Sequence, residues 1–329
     1  MKLMTKIFCL TLCFLLLAGM LVACDSEDSK ETTEDAPESV SHEHSFGEWT
    51  TLEAATCTEE GSRQRSCSTC SEIETEVISA AGHKYVDQIC ATCNKPERYS
   101  EGLEFGANED GTYSVLRLGT CTDTELFIPP TTPEGAIVTG IGSLAFYNCS
   151  SLTRFVLPDT ITSIGYGAFL GTAYYKEQSN WENGVLYLGN CLIEVKGTVS
   201  GVYTVKTGTT MLADEAFYNC KSVTGVEFPD SVTSIGKKAF YGCSSLASIE
   251  IPDGVKKIGD SMFEWCEGLK SIVIPNGVTM IGNSAFWCCQ SLIDIYFAGT
   301  EAEWNEIDKP YAKLPDNATV HFNYVPSEA

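Results

Sequence analysis

Apolar residues recur at fixed intervals between residues 141 and 300. Six phenylalanines are separated by 23, 48, 23, 23 and 23 residues, and an isoleucine or leucine stands five positions before each. Three positions after five of them stands a cysteine, and six positions after the same five stands a leucine or valine. Such self-similarity predicts a stack of equivalent units. The phenylalanines are Phe146, Phe169, Phe217, Phe240, Phe263 and Phe286.

Each unit also contains an alternating segment that predicts a β-strand. Ile249 and Ile251 are expected to point inward, and Ser248 and Glu250 outward, because successive side chains in a strand face opposite sides. The segment ends at Pro252-Asp253-Gly254, which has the residues of a turn. A lone unit would lose about 1–2 kcal/mol of backbone entropy per residue, more than its few buried side chains return. We therefore expect the units to fold only as a stack with one continuous core.

The repeat resembles the BspA-type leucine-rich repeats of bacterial surface proteins. The resemblance covers about 101–324 and rests on the pattern Leu-x-x-Ile-x-Ile-Pro-x-x-Val-x-x-Ile-Gly-x-x-Ala-Phe-x-x-Cys-x-x. It implies a β-rich solenoid, a right-handed curved array with parallel strands along one face. We assign the repeats to residues 141–300.

The 48-residue step departs from this pattern. We expect an insertion at about 172–200 that contains a hairpin over 185–195, with its turn at Gly189-Asn190. A second hairpin around Asp110-Gly111 is expected within an N-terminal cap and first strand at 98–140. Residues 301–329 are expected to form a C-terminal cap, because an exposed terminal strand would invite edge pairing.

Residues 42–97 concentrate cysteine and histidine, including His42. Two Cys-x-x-Cys pairs are separated by nineteen residues, the spacing of two knuckles that share one tetrahedral zinc ion. Large hydrophobic residues are few, so a segment of this size needs a cross-link such as a bound metal ion or disulfides in order to fold. We therefore predict a zinc-ribbon-like module with a structural Zn²⁺, and no catalytic pattern such as His-Glu-x-x-His accompanies it. The predicted ligands are Cys67, Cys70, Cys90 and Cys93.

The same segment resembles a cysteine-rich module of Gram-positive bacterial surface proteins. The matching residues include His44-x-Phe46-x-x-Trp49, Ala55-Thr56-Cys57, Gly82-His83 and the two Cys-x-x-Cys pairs. This resemblance implies another partition, in which Cys57, Cys67 and Cys70 join His44 or His83 and leave Cys90 and Cys93 as a partial second site. Both partitions stay open, and so do disulfides, which an oxidising compartment would favour.

The N-terminus is typical of an export signal. Lys2 and Lys6 precede an uncharged apolar run over 7–22, which is shorter than the ~20 residues of a membrane-spanning helix. Leu21-Val22-Ala23-Cys24 resembles a bacterial lipobox, which implies removal of signal peptide 1–23 and lipidation of Cys24. Several acyl chains would hold the protein at the membrane, exposed at the cell surface. The acidic segment 24–41 is then a disordered tether.

Charge and composition reduce the number of possible classes of function. The 329 residues carry 44 acidic against 21 basic side chains, a net charge of −23, which argues against nucleic acid as a partner. No nucleophile–base pair or phosphate-binding loop emerges, so we do not expect an enzyme. We expect the repeat cysteines to be buried thiols that act as small hydrophobic residues. These are Cys149, Cys220, Cys243, Cys266 and Cys289.

A binding surface is the function that remains, with adhesion to host or neighbouring-cell proteins as the role that the family resemblance suggests. Exposed aromatic residues in a row are typical of protein or glycan contacts, although they can also pad the flank of a solenoid. Surface metal capture and a wall- or glycan-binding scaffold are the alternatives. Candidate contacts on the strand face are Arg154, Glu227, Glu250, Val273 and Tyr296. Candidate contacts next to the phenylalanines are Tyr147, Tyr218, Tyr241 and Trp287.

Overall fold

The computed structural model of the protein describes most of the chain from Glu43 onward. The described residues are 43–70, 72–93, 95–309 and 311–325. The expected signal peptide, the lipidation site Cys24, the tether and His42 lie outside them. Within the described ranges, no helix is both long enough and apolar enough to cross a membrane.

The chain divides into two compact units. Among the described residues, the smaller one runs from Glu43 to Ala55 and resumes from Glu60 to Ser79. The larger one comprises Thr56–Glu59 and the described residues from Ala80 onward. The boundary therefore falls within the cysteine- and histidine-rich segment 42–97.

The smaller unit is an antiparallel sheet of three strands in the order β1-β2-β3. Arg63 lies opposite Glu76 and Arg65 opposite Glu74, and each ion pair has an N–O distance of 2.6 Å. Among the described residues of this unit, Cys67 is the only apolar side chain that is buried. A sheet with so small a core needs a further source of stability. The strands are β1 (Thr50–Glu53), β2 (Gly61–Ser66) and β3 (Ile73–Ile78).

The larger unit begins with a short antiparallel hairpin and continues as a β-solenoid of about nine turns. The fold class predicted from the repeat is thereby confirmed. The hairpin and the coils before the interruption contain β4 (Tyr85–Val86), β5 (Ile89–Cys90), β6 (Glu104–Ala107), β7 (Tyr113–Arg117), β8 (Glu125–Phe127), β9 (Val138–Ile141), β10 (Arg154–Val156) and β11 (Ser163–Ile164).

The remaining elements belong to the interruption, the regular coils and the C-terminal cap. The helical elements are α1 (Ala173–Lys176), a 3₁₀ turn (Gln178–Asn180) and α2 (Glu301–Glu306). The strands are β12 (Trp181–Glu182), β13 (Val185–Leu188), β14 (Cys191–Val195), β15 (Gly201–Thr204), β16 (Met211–Leu212), β17 (Val223–Glu227), β18 (Ser234–Ile235), β19 (Ser248–Glu250), β20 (Lys257–Ile258), β21 (Ser271–Ile274), β22 (Met280–Ile281), β23 (Asp294–Phe297) and β24 (Thr319–His321).

Two parallel ladders of strands join the coils. The first pairs β8 with β10 and β15 with β17, and then runs through β19, β21, β23 and β24. The second joins β7, β9 and β11, then β14, β16 and β18, and then β20 and β22. The predicted alternation holds along β19, where Ile249 is buried and Ser248 and Glu250 are exposed.

A third ladder runs through the turn segments that carry the phenylalanines. The Phe240 N–H donates to the carbonyl of Met262 in the next coil at 3.0 Å, and the N–H groups of Lys238 and Gly242 also donate to that coil. Lys238 and Gly242 have φ angles of 54° and 71°, in the left-handed region that turns alternate N–H groups toward the neighbouring coil. The repeat pattern did not predict this ladder, because lysine carries no signal for positive φ.

The phenylalanines form the centre of the core. All six are less than 2% exposed. The rings of Phe240 and Phe263 stack with centroids 5.5 Å apart and planes 4° apart, and Phe263 stacks on Phe286 at 5.7 Å. The vertical superposition expected from the 23-residue period is therefore confirmed.

The repeat cysteines lie beside this column as free thiols. Four of them are buried, whereas Cys149 is only half-buried, so the prediction of burial is wrong at that position. The Cys266 Sγ–H donates to the carbonyl of Phe240 in the preceding coil at 3.0 Å, and Cys243 and Cys289 repeat the contact. Burial raises the pKa of the Cys266 thiol well above its ordinary value.

The interruption divides the core. The hairpin β13–β14 forms around Gly189 as predicted, and β14 then pairs in parallel with β16. The buried residues consequently form two clusters, one around Phe146 and Phe169, which also includes Met211 and Ala213 after the hairpin, and the other around the phenylalanines from Phe217 to Phe286.

Each end of the array carries an element that is not part of a regular coil. The hairpin β6–β7 turns at Gly111 (φ 82°), and β7 then pairs in parallel with β9. At the other end, Thr300 and Glu303 form a capping box at the start of α2. Trp304 of α2 packs edge-on against Phe297, with ring centroids 5.3 Å apart, and covers the last coil.

The Phe240→Ala variant should be strongly destabilised, because its ring is buried between two stacked rings. Removal of a buried phenylalanine costs about 3–5 kcal/mol of unfolding free energy. Glu250→Ala, an exposed change one coil away, should stay within about 0.5 kcal/mol. Urea unfolding followed by circular dichroism measures both, and equal effects would contradict the stacked core.

The buried repeat cysteines should resist alkylation at pH 8, because burial keeps them as thiols whereas the thiolate is the reactive form. Cys288 is a matched control, since it is only half-buried and adjoins the buried Cys289. Mass spectrometry after iodoacetamide treatment should show Cys288 labelled at least about tenfold faster than Cys266 in the native protein, with equal labelling in urea. Rapid native labelling of Cys266 would argue against its place in the core.

Candidate metal centres and recognition surfaces

Four side chains of the larger unit bring potential metal ligands together. The ligand atoms of Cys57, His83, Cys90 and Cys93 all lie within 4.8 Å of one another. The Cys57 and Cys90 sulfurs are 3.7 Å apart, and His83 Nδ1 lies 3.4 Å from Cys93 Sγ. Cys57 and Cys90 are buried, at 6% and 0% exposure. Three thiols and one imidazole are a ligand set of structural zinc. We call these residues the Cys57 group.

Local backbone pairing builds this arrangement. The N–H of Ala81 donates to the Thr56 carbonyl at 2.9 Å, and the N–H of Gly82 donates to the Cys57 carbonyl at 3.1 Å. These bonds carry Cys57 to the loop that holds His83. Cys90 ends the strand β5, and its N–H donates to the Lys95 carbonyl at 2.9 Å, which closes the turn that contains Cys93.

The hydrogen bonds within the Cys57 group favour the thiolate form of Cys90 over that of Cys57. Hydrogen bonds from the Cys93 N–H, the His83 side chain and the Thr92 N–H lower the pKa of Cys90 to about 5. Burial, together with hydrogen bonding to Cys90, raises the pKa of Cys57 to about 11. A metal ion would therefore meet Cys90 already ionised and would displace a proton from Cys57.

A second group lies in the smaller unit. The ligand atoms of His44, Cys67 and Cys70 also lie within 4.8 Å of one another, with His44 Nδ1 3.5 Å from Cys70 Sγ. The other ring nitrogen of His44 faces a carboxylate oxygen of Glu72 at 3.1 Å. A carboxylate on the far nitrogen orients a metal-binding histidine in many proteins. Hydrogen bonding to Cys67 is the largest contribution that raises the pKa of His44.

The two groups differ from both partitions predicted from the sequence. Cys90 and Cys93 join Cys57 and His83, whereas Cys67 and Cys70 join His44. Among the described residues, no disulfide joins the cysteines, so the disulfides considered above are not formed in this structure. The spacing of the Cys-x-x-Cys pairs did not reveal this grouping, because the bonds that move Cys57 next to His83 join residues distant in the sequence.

The strand face displays the predicted rows. Glu227 and Glu250 are exposed, and Val273 lies half-buried directly opposite Tyr296 in the neighbouring strand. Tyr296 stacks on His321, with ring centroids 4.8 Å apart. Arg154 already has partners within the chain, because its guanidinium lies 3.3 Å from the Asp87 carbonyl oxygen and 3.5 Å from a carboxylate oxygen of Glu125. It is therefore less available for a binding partner than the exposed glutamates.

A line of aromatic side chains follows the third ladder over successive coils. Tyr218, Trp265 and Trp287 are 42%, 41% and 43% exposed, and Tyr241 is half-buried. Tyr218 and Tyr241 stack with centroids 5.0 Å apart and planes 11° apart. Backbone bonds join the coils at each step, as from the Trp265 N–H to the Trp287 carbonyl at 2.9 Å. We call this line, which ends at Tyr311 (72% exposed), the aromatic strip.

The sequence had revealed three members of the strip. Trp265 was missed because it stands two positions after its phenylalanine instead of one, and Tyr311 because it follows the last repeat. The Ser284 N–H nevertheless bonds the Tyr311 carbonyl at 3.1 Å, which continues the third ladder into the cap. Tyr147, although 50% exposed, lies on the far side of the interruption from the strip.

Comparison with known proteins agrees with the repeat pattern. The model of the BspA type leucine-rich repeat region matches in six copies, over residues 131–192 and 203–308, just over half of the chain. The gap between the two matched ranges falls at the interruption. No curated protein matches the chain.

Several solved structures resemble the array. A leucine-rich cell surface protein from Faecalibacterium prausnitzii A2-165 is 21% identical, over 64% of this chain and 97% of that one, with a TM-score of 0.35. A leucine-rich repeat protein of T. pallidum is 25% identical, over 60% and 80% of the two chains, with a TM-score of 0.30. One from Bacteroides ovatus ATCC 8483 is 17% identical, over 69% and 99%, with a TM-score of 0.29. With the family match over both halves of the array, this chain belongs to the BspA-type leucine-rich repeat family.

Proposed function

We propose that this protein is exported, is held at the bacterial cell surface by lipid on Cys24, and recognises a protein of the host or of a neighbouring cell through its aromatic strip. The location rests on the sequence of residues 1–41, with its apolar run, its lipobox-like motif and its acidic tether. Membership of a surface-protein repeat family supports recognition as the task. The proposal assigns the chain no catalytic reaction.

The observation that carries the proposal is a line of five aromatic residues, four of which are exposed and one of which, Tyr241, is half-buried. Large aromatic rings stabilise a fold most when they are buried, so a contiguous exposed line is unusual in a surface with no partner. Tyrosine and tryptophan are also the residues most enriched among the energetically dominant contacts of protein interfaces. Coils stack about 5 Å apart, so the strip extends for roughly 20 Å, the size of an interface core.

Charge indicates what kind of protein the strip would bind. Glu264 stands between Tyr241 and Trp287 in the row, and the whole chain carries a net charge of −23. An apolar patch on the partner with basic residues around it would complement this surface and would accelerate association at low salt. The strand face, with Glu227 and Glu250, offers a second acidic surface for the same partner.

We also propose that Zn²⁺ stabilises residues 43–97. Cys57, His83, Cys90 and Cys93 would hold one ion, and His44, Cys67 and Cys70 would contribute to another. The support is the chemistry of the two groups and the small amount of buried apolar surface around them. Burial of Cys57 and Cys90 favours a structural role over surface metal capture, because an ion held by buried ligands exchanges slowly.

Substitution of strip residues should abolish binding of the protein partner. A panel of host extracellular proteins, proteins of neighbouring bacteria and cell-wall polysaccharides would be tested by biolayer interferometry against the chain produced without residues 1–24. Trp265→Ala and Trp287→Ala should each reduce the affinity for the partner that is found by at least about 30-fold, or about 2 kcal/mol. Tyr147→Ala removes an equally exposed tyrosine off the strip and should have no effect. Loss of binding in Tyr296→Ala alone would assign recognition to the strand face and refute the strip.

Removal of zinc should unfold the cysteine-rich segment and leave the solenoid intact. Elemental analysis should find bound zinc, and Cys90→Ser should reduce the zinc content by one ion per chain, because it removes a ligand of the Cys57 group. Cys288→Ser, a change outside both groups, should leave the content unchanged. After chelation, the NMR signals of residues 80–97 should lose their chemical-shift dispersion, while those of the phenylalanine column should stay dispersed. Zinc that exchanges within seconds in the native protein would instead favour metal capture.

A further inference from the structure

A cleft of about 400 Å³ opens at the interruption of the array. One wall is the turn segment of the Phe169 coil, and the opposite wall is that of the Phe217 coil. The end of β14 forms the floor between them, and Tyr175 of α1 closes one side. The volume lies within the usual range of small-molecule sites.

The cleft exists because the third ladder is broken here. In a regular coil the phenylalanine N–H bonds to the next coil, as from Phe146 to the Ala168 carbonyl at 2.9 Å. By the same rule the Phe169 N–H would bond to the Ala216 carbonyl. The hairpin strand β14 lies between these two coils, and its Val195 N–H donates to the Ala216 carbonyl at 2.7 Å. Among the described residues, the N–H groups of Gly167 and Phe169 consequently have no protein acceptor, although both residues line the cleft. Backbone donors of this kind are nearly always satisfied, here by whatever fills the cleft.

The facing walls supply hydrogen-bond acceptors. The Tyr175 hydroxyl donates to both carboxylate oxygens of Glu194, at 3.0 and 2.9 Å. Asp214 Oδ1 accepts the Lys237 N–H at 2.8 Å. Each carboxylate keeps lone pairs for a further donor, since a carboxylate offers about four acceptor positions. Partial burial raises the pKa of both groups, because water is scarce around them.

Aromatic rings border the mouth. Tyr166 and Tyr218 line the cleft and are 46% and 42% exposed. The Tyr175 ring is held edge-on to Trp181 with centroids 5.2 Å apart, and the Trp181 Nε1–H donates to the Tyr175 carbonyl at 2.7 Å. The side wall is therefore a fixed aromatic surface.

We propose that this cleft binds a pyranose unit of a glycan. A sugar hydroxyl can accept from the Phe169 N–H while it donates to Glu194, and the C–H face of a pyranose ring packs on tyrosine. An anion would be repelled by Glu194 and Asp214, and an ammonium group would leave the N–H donors unsatisfied. The inference goes beyond recognition of a protein by the aromatic strip, because it adds a second ligand class at a separate place. Tyr218 borders both places and is therefore left out of the tests of each.

Isothermal titration with a panel of pyranose mono- and disaccharides, including glucose, galactose, mannose and N-acetylglucosamine, tests the proposal on the purified protein. At least one sugar should bind saturably. Glu194→Gln should reduce the affinity for that sugar at least tenfold. Tyr175→Phe should reduce the affinity measurably, although this substitution preserves the ring that forms the wall. Glu250→Gln is the matched control, because it makes the same change of charge on the distant strand face. Unchanged thermal unfolding midpoints establish that the variants fold.

Three outcomes would overturn the assignment. The first is that no sugar of the panel binds saturably. The second is that the sugar binds Glu194→Gln and Tyr175→Phe as tightly as the unaltered protein. The third is that Nα-acetyl-lysine amide binds where the sugars do not and loses affinity in Glu194→Gln, which would assign the cleft to cationic side chains. Trp265→Ala should leave sugar binding unchanged, so failure of the strip and failure of the cleft are distinguishable.

Discussion

The stacking of equivalent phenylalanines in adjacent coils is the interaction on which the array depends. No coil buries its own ring; Phe263, for example, is covered by Phe240 on one side and by Phe286 on the other. The three backbone ladders hold successive coils at one spacing, and this spacing brings the rings into contact. Each coil therefore depends on its neighbours for both its core and its hydrogen bonds, and the ends must be closed by other means. The hairpin β6–β7 and the helix α2 do so.

The sequence predicted the features that recur and missed those that depend on pairing between distant segments. The period identified the six phenylalanines of the stacked column, and Gly189 and Gly111 identified two hairpins, because these signals are local. The third ladder was invisible, since Lys238 adopts a positive φ only because its neighbouring coils offer acceptors. The grouping of the cysteines and histidines was not visible in the sequence for a related reason: the bond between Gly82 and Cys57 joins residues whose separation carries no pattern.

The candidate binding sites arise where the repeat makes the fewest structural demands. The positions of the aromatic strip point away from the core, so the fold accepts glutamate at 264 and tryptophan at 287 equally well. Side chains there are consequently available for recognition. The cleft arises in the opposite way, from a local failure of the repeat: the inserted hairpin removes hydrogen-bond partners from one coil and leaves polar groups facing a cavity. Departures from an otherwise consistent pattern are where functional sites are expected.

The cysteines of the solenoid and those of the Cys57 group stand in different environments. The solenoid buries the phenylalanine column, and burial raises the pKa of the thiols that pack beside it, as at Cys266. Around the Cys57 group the environment is reversed, because N–H groups surround Cys90 and hold its pKa near 5. The same residue type is thus a buried hydrophobic side chain at Cys266 and a thiol with a lowered pKa at Cys90. Cysteine count alone therefore carries little information in this protein; the hydrogen-bond donors around each sulfur decide its chemistry.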